Sequence, residues 1–354
     1  MKSVNIWIWL LGSLLTMGVM GCSVIDEDLS DCAPEYEIDY ELRLVTNMTT
    51  ELRTELTTQT DLQIAQALRA HLSEIFSDYA HDVDLSFYDT QGDSVRLQHD
   101  EHIMDANQAS YELNLPKRHY MHLAAANVVD NQLVSIADAG YCHPASLKQM
   151  ERDTIDSHTT GIFTAREPME VLEGVDQNFN VHLYMANCAA TLVIDPRNQS
   201  TDGLQVYSTG FATGFSICDS VYKYVEQPPI VRTTLIERQE KDSDKELAFC
   251  SVTFPSPEPV DSASASTRTV IETTDPFIAR SGEESLWEFR VYVPQPDGTF
   301  TENILHIRVP LRAGQLKIIK VWLEDHGIVR TDEHTVAVSV QLGWRPAGQY
   351  KPRL

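Results

Sequence analysis

The segment Glu37-Ile38-Asp39-Tyr40-Glu41-Leu42-Arg43-Leu44 decides the architecture of this chain. Charged residues at 37, 39, 41 and 43 alternate strictly with apolar residues at 38, 40, 42 and 44. Successive side chains of a strand point to opposite faces, so a period of two predicts a half-buried strand with one face in a core and one in water, as in antiparallel sheets.

The same alternation recurs downstream. Val83, Leu85 and Phe87 lead into a turn at Asp89-Thr90-Gln91-Gly92-Asp93, and Val95 and Leu97 resume beyond it, which predicts a hairpin. Tyr111, Leu113 and Leu115 form a strand closed by Pro116, and Tyr120 to Val129 the next. The pattern restarts with Phe179, Val181, Leu183 and Met185, continues through Leu192 and Ile194 and through Leu204 and Val206, and is clearest near the end. There Trp287 to Val293, Leu305 to Val309, Leu316 to Leu323, and Val336, Val338, Val340 and Leu342 read as strands, with turns at Asp297-Gly298 and Ala313-Gly314.

Two segments read as helix. Between Thr60 and Phe76, Asp61 can cap while Leu62, Ala65, Leu68, Leu72, Ile75 and Phe76 recur at helical spacing; Ser146 to Arg152 could make a second, short helix. Short strands separated by turns argue for a mostly β fold, a sandwich or a barrel with one or two short helices, rather than a βαβ series, and the length makes two domains natural. The pattern breaks at Glu173-Gly174, which puts the domains at 37–173 and 174–354. Pro- and Ser-rich residues 254–268 read as a long loop or hinge within the second.

The N-terminus has the parts of a secretory signal, Lys2 followed by an apolar run from Val4 to Met20. That run is short for a span of ~20 residues. Its end, Val19-Met20-Gly21-Cys22, is similar to the lipobox of bacterial lipoproteins, in which peptidase cuts before a cysteine that is then acylated. The expected organisation is a signal peptide at 1–21, cleaved between Gly21 and Cys22, and an acylated tether at 22–36. Several acyl chains on Cys22, such as palmitate, hold a protein on a bilayer without a spanning helix. Asp26, Glu27, Asp28 and Asp31 make this tether a solvated spacer, similar in composition to the export signals of surface lipoproteins of Bacteroidetes.

The chain has 354 residues and a net charge of −25. Such a surface repels nucleic acid and anionic head groups, so a nucleic-acid partner is excluded and the lipid must supply the membrane attachment. Besides Cys22, five cysteines remain: Cys32, Cys142, Cys188, Cys218 and Cys250. An odd count leaves one thiol unpaired, and no Cys-x-x-Cys supports a zinc or redox site. A Cys32–Cys142 bridge is one arrangement; Cys188 reads as a buried thiol in a strand.

No constellation points to catalysis, and no cofactor or metal is expected. His99-Asp100-Glu101-His102 is not His-Glu-x-x-His and reads as a solvated loop, and His119 and His122 repeat its spacing beside a strand. Gly214-Phe215-Ser216-Ile217-Cys218 lacks the closing glycine of a nucleophile elbow. Trp287, Trp322 and Trp344 are the tryptophans of the mature chain. Exposed together they would stack on sugar rings, the basis of a rival reading as a glycan-binding lipoprotein; buried, they are core.

Several stretches together resemble the Bacteroidetes family of FimB/Mfa2-type fimbrial anchor subunits. They are the lipobox with Asp28-Leu29-Ser30-Asp31-Cys32 and the strand to Leu44, Leu85 to Gly92, Leu115 to Asn127, Gly161-Ile162-Phe163-Thr164-Ala165, and Val340 to Gly348. The chain departs from that pattern at Ala33, where proline is usual, and at Gly343-Trp344-Arg345-Pro346-Ala347-Gly348, a loose match to the usual ending. The resemblance implies two transthyretin-like sandwiches in a non-catalytic outer-membrane lipoprotein at the base of a fimbrium, with fimbrillin-like subunits as partners. On that reading the first strand, Ile38 to Leu44, stays in place, and Val336, Val338, Val340 and Leu342 meet the stalk. Shaft subunits of such systems are cut after an early arginine, and Arg43 and Arg53 keep a shaft or tip role open.

Overall fold

The computed structural model describes residues 35–45, 48–56, 62–76, 80–103, 110–175, 177–236, 246–259 and 285–343. The first part of the chain runs β1 (Glu35–Val45), α1 (Met48–Leu56), α2 (Leu62–Ile75), β2 (Asp82–Asp89), β3 (Arg96–Ile103), β4 (Ser110–Pro116), β5 (His119–Ala126), β6 (Val134–Ala137), β7 (Ser146–Gln149), β8 (Thr154–Asp156), β9 (Phe163–Glu170) and β10 (Gln177–Met185). The second runs β11 (Cys188–Asp195), β12 (Gln205–Thr209), β13 (Gly214–Ser216), β14 (Val221–Lys223), β15 (Ile230–Arg232), β16 (Thr234–Ile236), β17 (Leu247–Thr253), β18 (Trp287–Pro294), β19 (Phe300–Ile307), β20 (Leu316–Leu323), β21 (Val329–Arg330) and β22 (Val336–Gly343).

The fold is mostly β and sandwich-like. The first sandwich is one seven-stranded sheet, ordered β3-β2-β5-β9-β10-β1-β4, that folds over on itself. β9 and β10 pair only at Thr164 with Tyr184 and Phe163 with Met185, which frees the sheet to turn there. Tyr40 of β1 therefore meets His122 of β5, ring centroids 5.4 Å apart, although a flat sheet would separate those strands by three spacings of ~4.8 Å.

The second sandwich packs β16-β17-β11-β20-β21 against β22-β19-β18-β12-β15-β8. Leu192, Ile194, Ile319 and Val321 of one sheet share a core with Phe289, Val291, Leu305 and Ile307 of the other. β19 alternates buried and half-buried residues along its whole length, as the sequence requires of a strand with one wet face. Its turn from β18 is the expected Asp297-Gly298. Gly298 has φ +84°, and the Asp297 carboxylate accepts the Thr299 N–H at 2.9 Å.

Helix α2 joins the two sandwiches. Ile64, Leu68, Leu72 and Ile75 form its buried stripe, at the spacing one helix face requires. They share a cluster with Val83 and Leu85 of the first sheet and with Ala189, Val193, Cys250 and Ile318 on the outer face of the β11 sheet. β11 is consequently buried on both faces from Cys188 to Ile194, while Lys317, Lys320 and Trp322 of β20 stay half-buried. Truncating Leu68 would cost about 3 kcal/mol in a site so closely surrounded.

Pairing is not wholly antiparallel: β1 with β10, β11 with β20, and β15 with β8 run parallel. Residues 177–185 lie in β10, between β1 and β9 of the first sheet, so the chain changes sandwich after Met185. The anticipated helix at Ser146 to Arg152 is a strand instead. In β7, Leu147 and Gln149 are buried and Lys148 is exposed, an alternation fixed by neighbours β6 and β13. These three strands and β14 make a small four-stranded sheet, ordered β14-β13-β7-β6, whose members come from both halves of the chain. Gly214 lets β13 approach: a Cβ there would stand 2.8 Å from the Leu147 carbonyl oxygen.

Candidate partner-binding edge

β22 ends its sheet. Its eight residues pair antiparallel with β19, from Val336 opposite Ile307 to Gly343 opposite Phe300, and among the described residues no strand covers its other side. Val336 and Val338 are half-buried and pack on the second core. Val340 is 38% exposed, and Leu342 lies opposite Thr301. An uncovered edge offers a row of backbone donors and acceptors to an incoming strand.

The outer face of this edge carries an arrangement that sequence reading missed. Glu288 of β18, His306 of β19 and Ser339 of β22 lie side by side: His306 Nδ1 is 2.9 Å from Glu288 Oε1, and its Nε2 is 2.8 Å from Ser339 Oγ. Arg290 and Ser285 also reach the Glu288 carboxylate. Burial alone would raise this carboxyl, but His306, Arg290 and Ser285 outweigh it and hold Glu288 below the usual carboxylate range. The order carboxylate–imidazole–hydroxyl is that of a nucleophilic triad. Activity would further demand backbone donors aimed at a substrate oxyanion; in this register the hydrogen bonds tie β22 through β19 to β18. Only the strand pairing shows this trio, since its members stand 18 and 33 residues apart.

β1 is held on both sides, by β10 along residues 38–45 and by β4 along residues 35–41. Tyr40 is buried, and its hydroxyl bonds His122 Nε2. His122 Nδ1 lies 3.1 Å from the Ser86 carbonyl and so must carry the proton, leaving Nε2 to accept from Tyr40. Arg43 is exposed and paired with Glu41 within the same strand, and Arg53 is exposed on α1.

The remaining expected sites divide as follows. Gly21, Cys22, Cys32 and Trp344 lie outside the described residues. Cys142 is buried, with the Cys218 Sγ 2.6 Å from its own; the Cys32 of the expected bridge lies outside the described residues. Residues 99–102 are not a loop but lie in β3, where His99 Nε2 meets Asp84 Oδ2 at 2.6 Å. Strand pairing with β2 supplies the order that their polarity concealed. Trp287 is core, with Nε1 donating to the Val309 carbonyl at 3.0 Å. Trp322 sits half-buried on a different sheet, 4.3 Å beneath the Arg197 guanidinium, so these two do not form a joint platform. No helix among the described residues is long and apolar enough to cross a membrane.

Solved structures share this arrangement. A candidate adhesin of Bacteroides ovatus aligns over 92% of this chain and 100% of its own, with 12% identity and a TM-score of 0.50. A second, from Bacteroides thetaiotaomicron, aligns over 86% and 96%, with 9% identity and a TM-score of 0.50. The chain has the fold of these adhesin-type structures. The fimbrial anchor protein Mfa2 of Porphyromonas gingivalis is also similar, over 88% of this chain and 100% of its own, with 8% identity and a TM-score of 0.46. No family model and no curated protein sequence matches. Within this fold, and among the described residues, β1 has a neighbour on both sides and β22 on one.

Proposed function

We propose that this protein is a lipid-anchored outer-membrane subunit that holds a fimbrial polymer at its base and breaks no bonds. Cleavage before Cys22 and acylation of that residue anchor the first sandwich. The second sandwich presents β22 to a fimbrillin-like subunit, which adds a strand beside Val336, Val338, Val340 and Leu342. Strand addition takes affinity from backbone hydrogen bonds and specificity from alternate side chains.

The observation that carries this reading is the contrast in pairing between β1, with neighbours on both sides, and β22, with a neighbour on one. A subunit whose first strand fills its own sheet has no vacancy for another donor in that position, which favours the base over the shaft. The charge of −25 leaves attachment to the lipid and partner choice to the edge.

A photo-activated cross-linker at Val340, introduced in cells that build fimbriae, tests the reading. The expected product is one fimbrial subunit joined to this protein, with the polymer following it in pull-down through the acylated end. Cross-linking to further copies of this protein alone would assign it to the shaft, and unlinked fimbriae would remove β22 from the interface.

A further inference from the structure

Cys142 and Cys218 are 76 residues apart in sequence and meet because β7 pairs with β13. Ser146 stands opposite Ser216, and the Ile217 N–H donates to the Ala145 carbonyl at 3.1 Å, which draws the segments just beyond the paired strands together. Both thiols are buried, and their 2.6 Å separation is well inside the contact distance of two non-bonded sulfurs. The neighbouring groups allow a second chemistry: His143 Nδ1 lies 3.0 Å from Asp219 Oδ1 and 3.8 Å from Cys218 Sγ. Sulfur spacing chooses between the two. A tetrahedral zinc ion holds each thiolate at ~2.3 Å and so sets a pair of sulfurs ~3.7 Å apart, whereas a disulfide brings them to ~2.05 Å.

We infer that Cys142 and Cys218 form a disulfide in an oxidising medium. The oxidant is of the disulfide class, oxidised glutathione or an oxidised thiol–disulfide oxidoreductase. One cysteine thiolate attacks it and releases one of its sulfurs as a thiol. The second cysteine then displaces the other, so the protein loses two protons and two electrons and the oxidant becomes two thiols. Burial pushes the Cys142 thiol up to about 12, which leaves little thiolate once the small sheet has closed. Bond formation therefore belongs to the folding chain.

The bridge would join a segment that precedes β10 to one that follows β11, a second covalent link between the halves that sit in different sandwiches. For an anchor pulled between Cys22 and β22 it bypasses the residues between 142 and 218. Only this mechanical consequence, and the oxidising compartment, rest on the proposed function.

The test alkylates the full mature chain under denaturing conditions without reductant, after refolding in oxidised and reduced glutathione and, separately, after isolation from cell envelopes. In the refolded protein a linked peptide pair containing Cys142 and Cys218 is expected, with label on Cys32, Cys188, Cys250 and, where it is not acylated, Cys22. After cleavage between the two cysteines, the halves should separate in denaturant only with reductant. Label on both Cys142 and Cys218 in the refolded protein overturns the inference, as does recovery of both free thiols with bound zinc. A Cys142→Ser variant that folds and loses the linked pair supports it. A bridge in the refolded sample with free thiols in the envelope sample upholds the inference and counts against export.

Discussion

The first and last described strands differ in what holds them. β1 lies between β10 and β4 and sends Tyr40 across the first sandwich to His122. β22 has one neighbour, β19, and sends Ser339 sideways to His306 and Glu288. β1 is held by strands on two edges and packing on one face; β22 has a ladder on one edge, Val336 and Val338 on the core and a polar string on its outer face. Among the described residues the contrast is one of pairing: β1 lies inside its sheet and β22 ends its own.

The largest effect should come from Tyr40→Ala. It removes a fully buried ring and leaves His122 Nε2 without its donor, so a loss of about 4 kcal/mol is expected, read as a lower midpoint in urea unfolding. An equivalent midpoint in the variant would mean that β1 is not held by this contact, and the contrast with β22 would fail at its firmer end.

Acid should then separate the two strands. Burial lowers His122 to about 4, and His158 likewise, against an ordinary value of 6.5. Above 6.5 both residues are neutral whether the chain is folded or not. As pH falls from 6.5 toward 4 the unfolded chain takes up protons that the folded one refuses, so stability is lost over that window. Each histidine contributes up to about 3 kcal/mol. Glu288 has the same sense in a lower window: its carboxyl is held low, so its contribution is present above the ordinary carboxylate range and is lost as pH falls through the lowered value. Between pH 6.5 and 5, therefore, β1 loosens while the Glu288 carboxylate that helps to tie β22 keeps its charge. Urea midpoints across this window should fall with pH, and His122→Phe should flatten the slope, with His158 and His71, also lowered by burial, supplying the remainder. An unchanged slope would place the proton uptake elsewhere.

How much of this contrast was legible in the sequence depends on distance along the chain. The alternation from Glu37 to Leu44 announced β1, and residues 39 to 41 show why: Asp39 is exposed, Tyr40 buried and Glu41 half-buried. The alternation at Val336, Val338 and Val340 announced β22 in the same way. Neither pattern names a neighbour, so the parallel pairing of β1 with β10, and the placement of residues 177–185 in the first sheet, came only with the fold. The error at Ser146 to Arg152 has the same origin, since Leu147 and Gln149 take their direction from β6 and β13. The Glu288–His306–Ser339 string and the Cys142–Cys218 contact are likewise products of register, set by strands whose partners no local pattern specifies.

The smallest effect on stability, and the sharpest on function, should come from Val340→Thr. Val340 is 38% exposed near the end of an edge strand, and threonine keeps its shape and its preference for extended backbone, so folding should change by less than ~0.5 kcal/mol. On the proposed reading the same side chain enters a pocket of the added strand's subunit, where a hydroxyl without a partner costs ~1–3 kcal/mol. Retention of fimbriae should thus fall about tenfold while the urea midpoint stays at its original value. Stable folding together with full retention would show that β22 is an ordinary terminal strand. Reduced retention with unchanged folding would separate the open end of this molecule from its closed one by function as well as by pairing.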